Sequence, residues 1–460
     1  IRDRTKSRGL GEVYKRQGKC IAEWIIDGEP SIDVWAMDVA RFGDYASPQY
    51  GTIKSSENYE RRFIMTFPNE TLPKGRKQKT TALYDRFVNQ GAVMGDSFGL
   101  ENVLWFANNK EDAHEEPTIK RSRSHDYVSK EVINVRENVG LIEVANFSKH
   151  EFKGPDARKF LDHIMAGRLP KPGRISLSPM LSYRGKLCGD LTVACLDENE
   201  FMVFGSGAAQ EMHRRWFESH IDKFNLSYSN RSDEYHGLSI AGPNSRKVLE
   251  KIVRDDVSNE KFKFRDSRRM FVGGVPAIIN RISFTGELGY EIYVAPHYQL
   301  KLYEELMEAG KEFNIKPFGG RALMSMRLEK NWGAWTLDYR PDFTAKETGL
   351  DAFINWDKEF IGKESAQKEN SSNKLVPLIV ETNEIDVTNN EAVLNGDQSI
   401  GYVTSGGFAH FVNKSVAFTF VDQKKIKSEN KIQVEINGDL FNCSIIKEPL
   451  YDPSGQKMRS

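Results

Sequence analysis

Residues 187–207 read LCGDLTVACLDENEFMVFGSG, and their alternation decides what kind of sheet the chain builds. Successive residues of a strand point to opposite faces. Leu187, Gly189, Leu191, Val193 and Cys195 therefore fall on one side, and Cys188, Asp190, Thr192 and Ala194 on the other. DENE supplies a polar hairpin turn before a second strand around Phe201 to Phe204. The segment is a β-meander with Asp190 in mid-strand. Aspartate is a poor strand former, and a carboxylate inside a sheet must be solvated or hydrogen-bonded. From the residues alone it is either an outward-facing group on an exposed sheet or a functional carboxylate.

Upstream, EVINVRENVGLIEVANFSKHEFKGPDARKFLDHIM (131–165) predicts a helix, two strands, a GPD turn and an amphipathic helix. LSIAGPNSRKVLEKIV (238–253) repeats the order strand, Gly-Pro turn, helix, which suggests a pseudo-repeat with Asp156 and Asn244 or Ser245 as helix N-caps. GSGAAQ (205–210) lacks the third glycine of a dinucleotide loop and reads as a plain strand-to-helix turn.

Downstream come strands MFVGG and PAIINRISF, the turn TGELG, strand YEIYV, and a helix from His297 to Gly310. In that turn Gly286 and Gly289 bracket Glu287, and Glu291 follows Tyr290 at the head of the next strand. A glutamate there can accept two N–H donors from an aminopyrimidine-type ring edge, or it can be a charged shoulder of an ordinary hairpin. MSMRLEKNWGAWTLDYRPD (324–342) gathers Arg327, Glu329, Lys330 and Arg340, with Arg327 and Lys330 on one helical face. That cluster suits either a polyanionic tail or a salt-bridged domain seam.

Past the Ser/Asn-rich linker IGKESAQKENSSNK (361–374), six short strands separated by Gly, Asn and Asp turns indicate an all-β barrel. At the other end, CIAEWII (20–26) predicts a short helix, 31–80 a small satellite segment with a polar loop over 68–81, Tyr84 to Val93 a helix, and GDSFGLENVLWF (95–106) a glycine-punctuated aromatic turn.

Lys+Arg 65 balances Asp+Glu 65, so no global field favours nucleic acid or an anionic membrane surface. Four cysteines form no C-x-x-C pair, which fits a reducing compartment without disulfides, and nine scattered histidines lack metal-ligand spacing. No apolar run is long enough to span a bilayer. The basic start IRDRTKSRGLGEVYKRQGK is no secretory signal and reads as a truncated or spurious leader. Cytoplasmic location is expected, or the mitochondrial matrix in a eukaryote. Without heptads, oligomeric state has no handle.

Taken in order, GRISLSPMLSYRGKLCGDLTV (173–193), SIAGPNSR (239–246), FTGELGYEIYV (284–294), MRLEK (326–330), RPDFTAKETGLDAFI (340–354) and EFIGKESA (359–366) resemble the glycine-cleavage T-protein, or aminomethyltransferase, module. The likeness covers roughly residues 120 to 370, and VTSGGF with its flanking strands is similar to the family's C-terminal barrel. GKCIAEWIIDGEPSIDVWAMDVARF (18–42), AWTLDYRPD and PLYDPSGQK resemble the version fused to flavin-dependent sarcosine and dimethylglycine dehydrogenases.

The resemblance implies an α+β fold. Residues 1–30 would be a leader and remnant of a flavin oxidoreductase domain, 31–80 a joining segment, 81–370 a folate-binding domain around a central funnel, and 371–460 the barrel. It implies an enzyme module that captures a methylene group on tetrahydrofolate to give 5,10-methylenetetrahydrofolate, with a small methylamine-derived substrate and with FAD held only in an N-terminal part outside this chain. Asp190 matches the family's catalytic aspartate and Glu291 its pterin-gripping glutamate, with Phe284, Tyr290 and Arg327 as further folate contacts, Arg327 at the glutamate tail. Phe284 stands where the family usually has tyrosine, so ring stacking survives and a hydroxyl hydrogen bond does not. Two other readings remain open, a non-catalytic folate-binding homologue and a folate-dependent demethylase using another methyl donor.

Overall fold

The computed structural model describes residues 2–427 and 429–460, with side chains from Lys15 onward, so the side chains of most of the basic leader lie outside the described residues. Its helices are α1 (Arg2–Asp27), α2 (Pro48–Glu60), α3 (Tyr84–Asn89), α4 (Ser124–Glu137), α5 (Ala157–Ile164), α6 (Gln210–His220), α7 (Ser245–Glu250), α8 (Gln299–Gly310) and α9 (Gly320–Glu329), followed by short turns of helix. The strands up to the linker are β1 (Ala92–Ser97), β2 (Leu100–Phe106), β3 (Val139–Glu143), β4 (Phe147–Lys153), β5 (Arg174–Leu181), β6 (Leu187–Asp197), β7 (Glu200–Ser206), β8 (Ser227–Asn230), β9 (His236–Ala241), β10 (Ser267–Val272), β11 (Val275–Asn280), β12 (Gly289–Val294) and β13 (Ile315–Pro317).

Two sheets dominate, one in the order β10-β11-β12-β9-β3-β13 and the other β5-β6-β7-β4-β8. They face each other across one apolar layer, where Ala194, Met202 and Phe204 of the second sheet meet Ile142, Ile278 and Tyr293 of the first. The outer face of the first sheet packs under α7 and α8 through Val248, Leu302 and Leu306. The outer face of the second packs under α5 and α6 through Phe160, Leu161 and Phe217. The result is a four-layer helix–sheet–sheet–helix sandwich, with the meander around Asp190 at one inner face.

The pseudo-repeat is a backbone fact. β4 leads through Gly154 (φ +136°) into α5, and β9 leads through Gly242 (φ +132°) into α7. Asp156 and Asn244 occupy the N-cap positions, yet neither side chain caps its helix. Asp156 Oδ2 instead accepts from the Asn225 N–H at 2.9 Å.

Three local expectations are corrected. The 95–106 turn is the hairpin β1–β2, whose tip residues Phe98 and Gly99 both adopt positive φ and so match the twist of the flanking strands. The short helix at 20–26 is the end of the longer α1, since the Lys- and Arg-rich stretch before it carries no proline. The satellite segment, expected only as a small region with a polar loop, contains the helix α2, which Ser47 caps with Pro48 at its first position.

Beyond the linker β14 (Asn373–Val380), β15 (Ala392–Asn395), β16 (Gln398–Ala409), β17 (Lys414–Asp422), β18 (Ile432–Ile436) and β19 (Asp439–Ile445) close a barrel in the order β14-β17-β16-β15-β18-β19. Buried charges pin it to the sandwich. Arg136 of α4 pairs with Glu287 at 3.0 Å and Glu329 at 2.6 Å, its guanidinium lying 3.8 Å from the ring centre of Tyr451, which follows the barrel. No described helix is long and apolar enough to cross a membrane.

A Cβ on Gly242 would sit 2.5 Å from the Asn138 carbonyl oxygen, and one on Gly154 would sit 2.8 Å from Leu226 Cα. Gly242→Ala and Gly154→Ala are each expected to cost roughly 1–3 kcal/mol in urea unfolding, whereas Gly274→Ala, with open space around its Cβ, should cost less.

Candidate active site

Asp190 lies midway along β6 opposite Pro179 of β5. The pair Thr192–Phe204 carries its face onto β7, and Phe204 packs on Tyr293 of β12 with ring centroids 4.7 Å apart. That face therefore looks toward the sheet bearing Glu291. Asp190 is half-buried, and among the described residues the one hydrogen-bond donor acting on its carboxylate is its own backbone N–H. Burial pushes its carboxyl up to about 7. It is thus reachable by a small molecule yet poorly hydrated, the environment in which a carboxylate can take up and release a proton near neutrality.

Glu291 is the third residue of β12, held between Asn280 of β11 and Ser239 of β9, and it is 7% exposed. Its Oε2 accepts the Tyr293 hydroxyl at 2.8 Å, which leaves Oε1 without a protein donor among the described residues. Burial holds this carboxyl near 7 as well, opposed by the Tyr293 bond and by Lys149. Lys149 of β4 is fully buried, its ammonium donating to the carbonyls of Ala145 (2.8 Å) and Ser232 (3.3 Å). Phe284 is half-buried and stacks on Trp332, centroids 5.8 Å apart and planes 26° apart. Seven residues beyond Trp332, the hydroxyl of Tyr339 is raised above its ordinary range by burial and by the nearby Asp190 carboxylate, and it accepts the Gly333 N–H at 3.2 Å.

Two sequence candidates lie elsewhere. Tyr290 alternates with Glu291, so its ring enters the outer core and stacks on Phe262 at 5.8 Å, away from the inner face. Arg327 is 1% exposed, and its guanidinium donates to Asp338 (2.7 Å), the Trp332 carbonyl (3.0 Å) and Ser405 Oγ of the barrel (2.8 Å). It is the domain-seam member of the two readings, committed to protein partners. A third adjustment concerns Cys188. The register shift between Met180 and Leu181 breaks the strict alternation beside it, and its side chain packs with Trp216 against the outer core.

Tyr293 and Lys149 were not singled out from the sequence. Tyr293 had a readable signal, two residues after Glu291 and hence on its face. Lys149 had none, because a lysine in KHEFK reads as solvent-facing.

Residues 83–358 match the GCVT N-terminal domain, 373–452 the glycine cleavage T-protein C-terminal barrel domain, and 27–81 the FAD dependent oxidoreductase central domain. The chain belongs to the glycine cleavage T-protein family. The mouse mitochondrial dimethylglycine dehydrogenase is 34% identical over 442 residues, covering 94% of this chain and 51% of that protein. The mouse mitochondrial sarcosine dehydrogenase is 28% identical, covering 88% and 49%. The chain spans about half the length of these curated relatives. Among solved structures, the glycine cleavage system aminomethyltransferase T of Bartonella henselae superposes with a TM-score of 0.71 at 22% identity over 82% of this chain and 98% of that one, a likeness of fold. This T-protein-like chain thus shares its architecture with a family of enzymes.

An unfolded aspartate titrates near 3.9 and native Asp190 near 7, so the native state holds an extra proton between those values and loses stability as pH rises through them. Asp190→Asn is expected to exceed the parent in stability at pH 8 by roughly 1–3 kcal/mol, with the gap closing toward pH 4. Urea unfolding at both pH values measures it, and an equal gap at both would mean that Asp190 is well solvated. Arg327→Met strands Asp338 as a buried unpaired charge and should cost about 3–5 kcal/mol. Ligand affinity that fell while stability held would restore Arg327 as a ligand contact.

Proposed function

We propose that this T-protein-like chain is a folate-dependent one-carbon transfer module of a flavin-linked dimethylglycine or sarcosine dehydrogenase-type enzyme. The observation that carries the reading is the pair of buried carboxyls on facing sheets, one lacking any side-chain partner and the other offering a free oxygen beside a phenol. Glu291 accepts two N–H donors from the pterin ring edge, and Phe284, backed by Trp332, supplies an aromatic face for stacking. Asp190 receives and returns a proton at the folate amine nitrogens.

Bound tetrahydrofolate supplies the two nitrogens between which the methylene carbon is captured. The donor is a small iminium formed from an N-methylated amine by two-electron oxidation at a flavin, the source supported by the match of residues 27–81 and by the names of the dehydrogenase relatives. Two C–N bonds form to the carbon, its bond to the donor nitrogen breaks, and the demethylated amine leaves. Two N–H protons are released, one ending on the departing amine and the other balancing the iminium charge. Asp190 is placed to shuttle them, and the enclosing sheets exclude the water that would hydrolyse the iminium to formaldehyde. The mitochondrial names of the mouse relatives favour the matrix for a eukaryotic source.

Calorimetric titration with a stable reduced folate tests the reading. The parent chain should bind in the micromolar range, Glu291→Ala should weaken binding by about 100-fold through loss of charge-assisted hydrogen bonds, and Asp190→Asn should change it by less than about threefold. A well-folded parent that binds no folate would leave only a shared fold.

A further inference from the structure

We infer that Lys149 is a positioning residue for Glu291: acting across the ring of Tyr293, it favours the acceptor-only anionic form of Glu291 and so biases the site toward ring edges that present two N–H donors. The ligand named here rests on the folate reading; the coupling between the side chains does not.

The geometry is a relay across two sheets. Lys149 Nζ, on β4, lies 5.8 Å from the centre of the Tyr293 ring, and the hydroxyl of that ring donates to Glu291 Oε2 at 2.8 Å. Lysine has three N–H bonds, and two reach the carbonyls of Ala145 and Ser232. Neither hydrogen-bond acceptor of the Lys149 ammonium is a carboxylate, although its side chain is wholly enclosed. A buried ammonium without an ion-pair partner is costly, so a role in setting the local charge explains a residue that packing alone does not.

The other charges around it leave Glu291 a share of this cation. From β3, Glu143 faces Lys149, its carboxyl tied to the Gln299 side-chain amide of α8 at 2.5 Å. From the turn before β9, Asp233 faces it but is largely exposed and paired with Lys79 at 3.1 Å. His236 of β9 completes the set, with its Nδ1 3.3 Å from Gln299 Oε1. Two carboxyls, Glu143 and Glu291, thus share the field of one buried ammonium, and burial moves all three groups toward neutrality. Removing the ammonium shifts Glu291 toward its protonated form, which offers a hydroxyl where a donor edge needs an oxygen and so discriminates against that edge.

The test uses the ligand-free chain with ¹³C-labelled glutamate carboxyls, the Glu291 signal being assigned by its loss in Glu291→Gln. Its titration midpoint should rise by about one unit in Lys149→Met and return to the parent value in Lys149→Arg, a rescue that a purely structural role would not give. Coupling is reciprocal, so the midpoint of ¹³Cε-labelled Lys149 should fall in Glu291→Gln. That near-isosteric arm decides the matter if Lys149→Met does not fold. Unmoved midpoints overturn the inference even if reduced folate binds the parent chain, whereas shifted midpoints in a chain that binds no folate sustain the coupling and remove only the folate reading.

Discussion

Everything in this structure depends on two sheets closing face to face over carboxylates that few cations reach. A sheet buries one face against another because side chains alternate, and here the inner faces carry Asp190, Glu291 and their aromatic neighbours instead of a uniform apolar set. Desolvation then acts on each group according to its partners. Asp190 has almost none, Glu291 has a phenol and a lysine at a distance, and both sit near neutrality. Glu131, buried where it accepts the Phe106 and Gly319 N–H groups, is pushed to about 8 by the same burial.

This has a thermodynamic cost with a definite sign. Raised carboxyls bind protons more tightly in the native state, so their stabilising effect fades as pH climbs from about 4 toward 7 or 8. The buried histidines act in the opposite sense: burial lowers His213 to about 4 and His410 to about 3, so their contribution is present above the ordinary histidine range and is lost as pH falls through those values. The two sets therefore pull stability in opposite directions between about pH 4 and 7, and Asp190 exchanges its proton at the upper end of that range.

The alternation in 187–207 and the six strands past the linker were legible because strand period and turn residues are local properties. Asp190 and Glu291 could be picked out because a carboxylate in a strand is an anomaly on its own, and the family resemblance gave them roles. What could not be read was which side of a sheet meets which neighbour. Tyr290 and Glu291 are adjacent in sequence yet serve different layers, and only period-2 reasoning applied strictly would have separated them. Arg327 invited a ligand role because its partners, Asp338 and Ser405, lie in a loop and in a different domain. Lys149 was invisible because nothing in its own strand says that both faces of the sheet are covered.

The seam between sandwich and barrel sets how the chain may be divided. Arg136, Arg327, Glu329 and Asp338 are almost wholly buried there, and each relies on an oppositely charged or polar group from a distant part of the chain. The stretch 361–374 that joins the halves is itself seated on the sandwich, with Ile361 in the core beside Leu161 and Leu191 and Ser365 Oγ donating to the Tyr183 carbonyl at 2.8 Å. The two halves are complementary pieces of one body: severing the chain in that stretch would part Lys330 from Asp452, and Arg327 and Asp338 from Ser405, contacts that only the other fragment can restore.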